Sequence, residues 1–435
     1  MRTVLRSLIS LMNASFFVQF SNAAITTMIG INIAASGGSQ SDVALVAGCY
    51  SLGFIIGCFV SPSRIQRVGL IRAFAAGAAL LTITIVGLDL FGGVEAMALI
   101  RFVMGMSVAL VLAVSDSWIN LISPADKRGR VIAVYSIVLG AASIASQMVF
   151  LFLDSDASGF VLVFAITMNI SVVLVAMTST SAPEVVRVPS RSRSYFIGVP
   201  LVPGVNAFAA GFVTTSIVSV VPFYLANNGV AENTVAMMLA ALYMGRLLFQ
   251  WPVGMISDRF DRRLVLAGLA LGACLLAIMS LVTNSGGGKY LGDSTGALHT
   301  VVGLLFTLLL GGMIYPLQSV ATAVAFDRAE EGTLPQTATT MLGLNSIGSI
   351  LGPFTVMVLA GVLRDSALMV CILVLCSVAC LISLAKKVSV EAPDQKASVV
   401  DATTNSVEMA EVAAELAEEQ IEAHEAEESA GPEEL

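Results

Sequence analysis

Histidine is almost missing from this 435-residue chain: only His299 and His424 occur. One falls near an end of an apolar run and the other in an acidic C-terminal stretch, so no metal site of the usual ligand spacing can be assembled. The same scarcity leaves no Ser-His-Asp set within one aqueous face. No Gly-x-x-x-x-Gly-Lys loop occurs, which argues against a built-in nucleotide-driven motor. Charge is also scarce: charged residues make up 12% of the chain and hydrophobic ones 57%, with a mean hydropathy of +0.89. No ordinary soluble domain approaches that balance. The six cysteines, Cys49, Cys58, Cys274, Cys371, Cys376 and Cys380, all lie inside apolar runs and read as small packing residues rather than a disulfide framework. The expectation is a chain that is not an enzyme and carries no cofactor, no metal and no nucleic-acid partner.

What is present is apolar length. Twelve runs stand out: Leu8 to Ala34, Val43 to Val60, Leu70 to Leu90, Met97 to Ile122, Val131 to Leu153 and Phe160 to Met177, then Phe196 to Leu225, Val235 to Val253, Leu264 to Leu281, Leu298 to Phe326, Thr337 to Leu363 and Ala367 to Ala385. Each approaches or exceeds the ~20 residues with which a helix crosses a bilayer. Unpaired backbone amides are not tolerated in hydrocarbon, so such runs are expected to be helices. Pro222, Pro316 and Pro353 inside them are compatible with bends. The first run is too long for a removable signal peptide and lacks its cleavage pattern.

Basic residues fall on alternate gaps. With Met1 placed inside, eighteen of the 22 Lys and Arg lie on that side, only Lys289 and Arg364 lie outside, and Arg101 and Arg246 sit within spans. This asymmetry predicts cytoplasmic N- and C-termini in a multi-pass plasma-membrane protein, the inner membrane in a Gram-negative cell. The net charge of −8 pools two unlike regions: residues 1–387 carry +5 and residues 388–435 carry −13. The acidic tail is expected to stay solvated and disordered, away from an anionic leaflet; a docking site for a partner is the alternative.

Six runs precede the polar segment 181–195 and six follow it. The expected organisation is therefore a bundle over 1–180, a cytoplasmic linker over 181–195, a second bundle over 196–386 and a tail over 387–435. At an offset of 192 residues, Gln66-Arg67-Val68-Gly69 overlays Asp258-Arg259-Phe260-Asp261, both between the second and third runs of their halves.

These residues carry a specific resemblance. Gly254-Met-Ile-Ser-Asp258-Arg259-Phe-Asp261-Arg262-Arg263 resembles the loop signature Gly-x-x-x-Asp-Arg-x-Gly-Arg-Arg of the major facilitator superfamily, departing only at Asp261. Met97 to Gly105, with Arg101, resembles its fourth-helix motif. Arg101-Phe-Val-x-Gly105 with Asp116, Gln250-Trp-Pro-Val-Gly254 and Tyr315-Pro316 is similar to the YcaD-like branch. The resemblance covers about Leu8 to Ala385. The first-half loop departs from it, with Pro62 at the Gly position and Gln66 at the Asp position, so no role of that Asp transfers there.

The resemblance implies an all-α membrane protein of twelve transmembrane helices in two pseudo-symmetric six-helix bundles, moving a small solute by alternating access. It also implies that the first, fourth, seventh and tenth helices line a cavity. Candidate cavity residues are Gln19, Asn22, Thr26, Arg101, Tyr243, Arg246, Gln250, Tyr315, Gln318 and Thr322. Candidate latch residues are Arg67, Asp116, Gly254, Asp258, Arg259, Arg262 and Arg263, where Gly254 permits close helix approach, Asp258 suits a helix N-terminus and Arg67 is an expected partner of Asp116. Two intraspan arginines make the cavity neutral to positive, favouring anionic, zwitterionic or neutral polar solutes. The expected partners are such a solute, the bilayer and, if transport is driven, protons; the expected state is a monomer. A non-transporting sensor that signals through the acidic tail is the rival reading.

Overall fold

The computed structural model describes residues 2–122, 128–153, 159–177, 198–285, 297–329 and 334–385. The expected linker and tail, with Lys289 and His424, lie outside them. Among the described residues there is no strand, and twelve α-helices follow in order: α1 Arg2–Ala35, α2 Gln40–Val68, α3 Leu70–Leu90, α4 Val94–Ile122, α5 Arg128–Gln147, α6 Phe160–Ala176, α7 Leu201–Asn227, α8 Glu232–Arg259, α9 Arg262–Ser285, α10 Ala297–Phe326, α11 Leu334–Leu363 and α12 Ala367–Ala385. Short 3₁₀ turns extend α5 over Met148–Leu151 and join α11 to α12 over Arg364–Ser366.

Ten described stretches are long and apolar enough to cross a membrane, one of them, Gln336–Ala385, being α11 and α12 together; α6 is a shorter apolar helix of 17 residues. α3 and α12 match their apolar runs end to end. α2 and α8 outrun theirs, to Val68 and Arg259, because a helix need not stop where hydrophobicity does. Their polar last turns carry Arg64, Arg67, Asp258 and Arg259 beyond the apolar slab. α7 begins five residues later than its run, with Pro200 immediately before it, where the fixed φ of proline suits a helix start. Pro222, Pro316 and Pro353 stay inside continuous helices.

The first six helices pack among themselves, α2 and α3 on α4, α1 on α5 and α6, and α3 on α6; the last six do likewise, α8 on α10, α7 on α11 and α9 on α12. Helices in lipid gain little from hydrophobic association, so close approach depends on small residues. Reciprocal glycines supply it. A Cβ on Gly53 of α2 would strike the Phe102 carbonyl of α4, and one on Gly105 of α4 would strike the Tyr50 carbonyl of α2. In the second half, Gly245 of α8 meets the Leu308 carbonyl of α10, and Gly311 of α10 meets the Leu242 carbonyl of α8. Gly53 and Gly245 are 192 residues apart, as are Tyr50 and Leu242; Gly105 and Gly311 are 206 apart, as are Phe102 and Leu308. The internal repeat is thus visible as one helix crossing built twice.

Between the groups, α1 meets α7, α2 meets α11 and α5 meets α8. These contacts fall away from the face bearing Arg67 and Arg262. A Cβ on Gly30 would lie 2.9 Å from Pro222 Cβ; the Phe354 ring fills the space above Gly48; the Ser51 hydroxyl reaches the Ser349 carbonyl at 3.5 Å. One buried apolar cluster joins first-half residues to Phe223, Leu225, Val235, Met238 and Tyr243. A third cluster, around Val253, Leu266 and Val324, draws its buried residues from the second half alone. The two bundles are sealed together on one side and, among the described residues, share no such core near the basic face. Large apolar side chains such as Ile83, Leu99, Leu305 and Val358 are exposed around the periphery, as lipid contact requires.

Candidate functional site at the junction of the bundles

α1 presents its polar stripe to its neighbours. The Ser15 and Ser115 hydroxyls are 3.1 Å apart, and the Gln19 amide donates to Ser143 on α5 at 2.9 Å. Asn22 accepts from the Tyr50 hydroxyl at 3.3 Å. Thr26 bonds the Asn22 carbonyl at 2.8 Å and accepts from Arg101 at 3.5 Å.

Arg101 is 3% exposed, with its guanidinium carbon 4.1 Å from the Tyr50 ring centroid. Besides Thr26, its partner is Met104 Sδ at 3.4 Å, and the Nε–H has no acceptor. Cation–π attraction strengthens when both groups leave water, which accounts for the ring beneath this charge. Tyr50 is a residue that sequence reasoning missed. The signal that points to it is the burial of Arg101 without a nearby acid, a situation that calls for an aromatic face.

The second half holds a similar couple at a non-equivalent place. Arg246 of α8, half-buried, lies 5.1 Å from the Tyr315 ring centroid on α10. Tyr243 is buried, 6.4 Å from Tyr315 between centroids, and within electrostatic range of Tyr50 of the first half. Asn22, Thr26, Tyr50 and Arg101 therefore form one cluster in the first half, and Tyr243, Arg246 and Tyr315 form another in the second. Three other candidates sit deeper in the second bundle. Gln250 bonds Ser319 at 2.9 Å, and Gln318 accepts from Asn345 of α11 at 3.1 Å. Thr322 is wholly buried and bonds the Gln318 carbonyl at 3.0 Å.

The basic loop after α8 is a closed electrostatic unit. Arg262, 4% exposed, holds Asp258 and Asp327 at 3.1 Å each, tying the α8–α9 turn to the end of α10. All three belong to the second half, so this tie runs within one bundle. Asp261, at the position where the family signature has glycine, caps α9: its carboxylate accepts from the Arg263 backbone N–H at 2.9 Å and pairs with the Arg263 side chain at 2.9 Å. That hydrogen bond to Arg263 holds its carboxyl below the usual carboxylate range. In the first half the matching Gly69 closes the turn at φ 81°, a conformation that favours glycine.

Arg67 and Arg259 are exposed, whereas Asp116 is buried with Cys58 and Tyr135 in electrostatic range. The Tyr135 hydroxyl faces Ser15 and Ser115 without closing a hydrogen bond. Gly254 is half-buried; the close approach of α8 to α10 is made by Gly245 and Gly311. All six cysteines are free, and among the described residues no group of three metal-ligating side chains converges.

Two helical groups, an internal repeat, and a charged aromatic cluster in each half define a multi-pass membrane transporter. The family model of the Major Facilitator Superfamily matches residues 11–205 and 204–412, and the chain belongs to that superfamily and resembles its YcaD-like branch. An uncharacterized MFS-type transporter of Enterobacter sp. (strain 638) is 24% identical over 367 residues, covering 82% of this chain and 90% of the relative. The uncharacterized MFS-type transporter YcaD of Escherichia coli (strain SE11) is 23% identical with the same coverage, 82% and 90%. Among solved structures, the nucleoside transporter NupG matches with a TM-score of 0.69 at 12% identity, over 87% of this chain and 98% of that one. The partially occluded inward-open xylose transporter XylE matches with 0.66 at 13% identity, over 91% of this chain and 100% of that one. At these identities the structural likeness speaks for the fold.

Proposed function

We propose that this chain is an alternating-access carrier for an anionic, zwitterionic or neutral polar solute, which binds between a bundle over 1–180 and a bundle over 196–386. The observation that carries the reading is the pair of arginine–tyrosine clusters. Each half contributes one guanidinium over a tyrosine ring, Arg101 over Tyr50 and Arg246 over Tyr315. Ionisable groups at such depth are costly and are retained where a pathway uses them. The one-sided seal supports a rocking motion of the bundles, since packed interfaces are bistable rather than continuously deformable. The basic ends of α2, α8 and α9 favour the cytoplasm, which makes the unsealed side the inner one in a plasma-membrane protein with both termini inside. The carrier works as a monomer, by facilitated diffusion or with protons coupled through Asp116 alone. The segment 181–195 links the bundles and 387–435 is an accessory acidic tail.

Uptake of labelled carboxylates, amino acids, sugars and a lipophilic cation into proteoliposomes tests this. Anions or zwitterions should enter, with partial flux in Arg246→Lys and none in Arg246→Ala, because fork-like recognition needs guanidinium. Deleting residues 388–435 should leave flux in place. A carrier that moves only the cation, with Arg246→Ala fully active, would contradict the reading.

A further inference from the structure

The two arginines share a feature that a single anion site does not need: neither has a carboxylate among its described partners. Arg101 is buried, its Nε–H has no acceptor, and its neighbours are a thioether, a hydroxyl and a ring. On its own helix the acids are Glu95, exposed in the first turn of α4, and Asp116, fifteen residues further on, about 22 Å along the axis. Arg246 has the Tyr315 ring as its neighbour, and α8 carries acids only at its ends, Glu232 and Asp258. A buried charge left without a counterion is strongly unfavourable, so Arg101 invites one, and the half-buried Arg246 leaves its guanidinium open to another.

The positions are also staggered. The glycine crossings align α2 with α8 and α4 with α10, and on that alignment Arg101 corresponds to Thr307, eight residues before Tyr315 on α10. The first couple thus lies about 12 Å, or two turns, nearer the sealed side than the ring of the second. Tyr50 lies against Arg101 and Tyr315 against Arg246, with the Tyr243 ring 6.4 Å from Tyr315 and inclined to it by 46°; each ring is apolar on its faces with a hydroxyl at its edge.

Resting on the anion reading above, we infer that the solute is an elongated organic dianion, with acidic groups at its two ends and a flat or aliphatic middle that meets tyrosine rings. One end is held by Arg246, on the unsealed side, and the other by Arg101. Since the arginines come from different bundles, such a solute draws the halves together, whereas a monoanion satisfies one guanidinium and leaves the other as it was. Fork geometry at each end selects carboxylates or phosphate-like groups over halide-like ions.

The test uses the full chain purified in detergent and four probes, adipate and terephthalate against hexanoate and benzoate, by calorimetric titration at neutral pH. The diacids should bind at least tenfold more tightly than the monoacids of matched length. Arg101→Gln should abolish that preference, and Arg101→Lys should keep the preference at reduced affinity. The lysine variant covers the case in which the glutamine variant does not fold, and the wild-type ratio needs no variant. Equal binding of diacids and monoacids, or a preference that survives in Arg101→Gln, overturns this inference and leaves the anion reading standing. Failure of all four probes to bind overturns this inference and the anionic part of the reading above, leaving only a zwitterionic or neutral solute.

Discussion

Arg262 and Asp327, separated by 65 positions in the chain, form a 3.1 Å ion pair that fastens the first turn of α9 to the end of α10. Because Arg262 is 4% exposed and also holds Asp258, the loop signature acts here as a brace inside the second bundle. The side chain of Asp327 is the more buried of the two acids, 16% against 44% exposed. Asp327→Asn should therefore destabilise more than Asp258→Asn, by about 1–3 kcal/mol, as expected when a buried charge keeps only part of its compensation. Thermal unfolding of the detergent-solubilised chain reads this directly. Asp258→Asn should mainly lower flux, several-fold, with insertion intact; equal melting of all three proteins would reduce the loop to a topology signal.

The paired helix crossings make a second, sharper claim. At Gly53 and Gly245 a methyl group would meet a carbonyl oxygen of the partner helix, backbone against backbone, where nothing flexible can yield. Gly53→Ala and Gly245→Ala should each cost about 2 kcal/mol or more, in the range of overpacked cores. Gly268 in α9 has nothing within 4 Å of such a methyl, so Gly268→Ala should be neutral or stabilising by up to about 1 kcal/mol through helix propensity. A thermal-shift comparison of the three variants decides it. Equal tolerance at Gly53 and Gly268 would mean that the α2–α4 crossing is looser than drawn.

Much of this was legible in the sequence, and the boundary of legibility has a physical cause. The twelve helices followed from hydrophobic length, because lipid leaves the backbone few options; α3 and α12 end where their apolar runs end. The repeat was legible at Gln66–Gly69 against Asp258–Asp261, since charge at a helix end is visible in one dimension. The partners were not. Tyr50 lies on α2 and becomes a partner of Arg101 only because Gly53 and Gly105 let α2 and α4 touch. The polar stripe of α1 was read correctly as a stripe, yet Gln19 spends its amide on Ser143 of α5, a pairing that periodicity cannot distinguish from solute contact. Thr322 likewise turned out to point into the second bundle.

Asp261 gives a prediction in pH. Its carboxyl is depressed chiefly by the hydrogen bond to the Arg263 side chain, so its contribution to stability is fully present above the ordinary Asp value of about 3.9 and is lost as pH falls through the lowered one. The melting difference between the wild type and Asp261→Asn should be flat from pH 5 to pH 8 and shrink below about pH 4. Its size should be small, because the carboxylate is 43% exposed and the pair is screened by solvent. A difference that grows on acidification would reverse the sign and dismiss the Arg263 pair as its cause.

The sealed side is where the proposed motion must begin. α2 and α11 touch there through Ser51 and the Ser349 carbonyl at 3.5 Å, beside the Phe354 ring over Gly48, while α1 and α7 close at Gly30 on Pro222. If the bundles rock, these contacts form in one state and part in the other. In a background without native cysteines, Ser51→Cys with Ser349→Cys should cross-link under mild oxidation, cut flux at least tenfold and recover on reduction. Gly30→Leu should act in the opposite sense: its side chain needs space held by the Pro222 ring and the Phe223 backbone, so the seal cannot close. A cysteine at Ser51 should then react faster with an impermeant thiol reagent added from the sealed side. Efficient cross-linking with undiminished flux would show that α2 and α11 never separate, and the gate would have to be sought elsewhere.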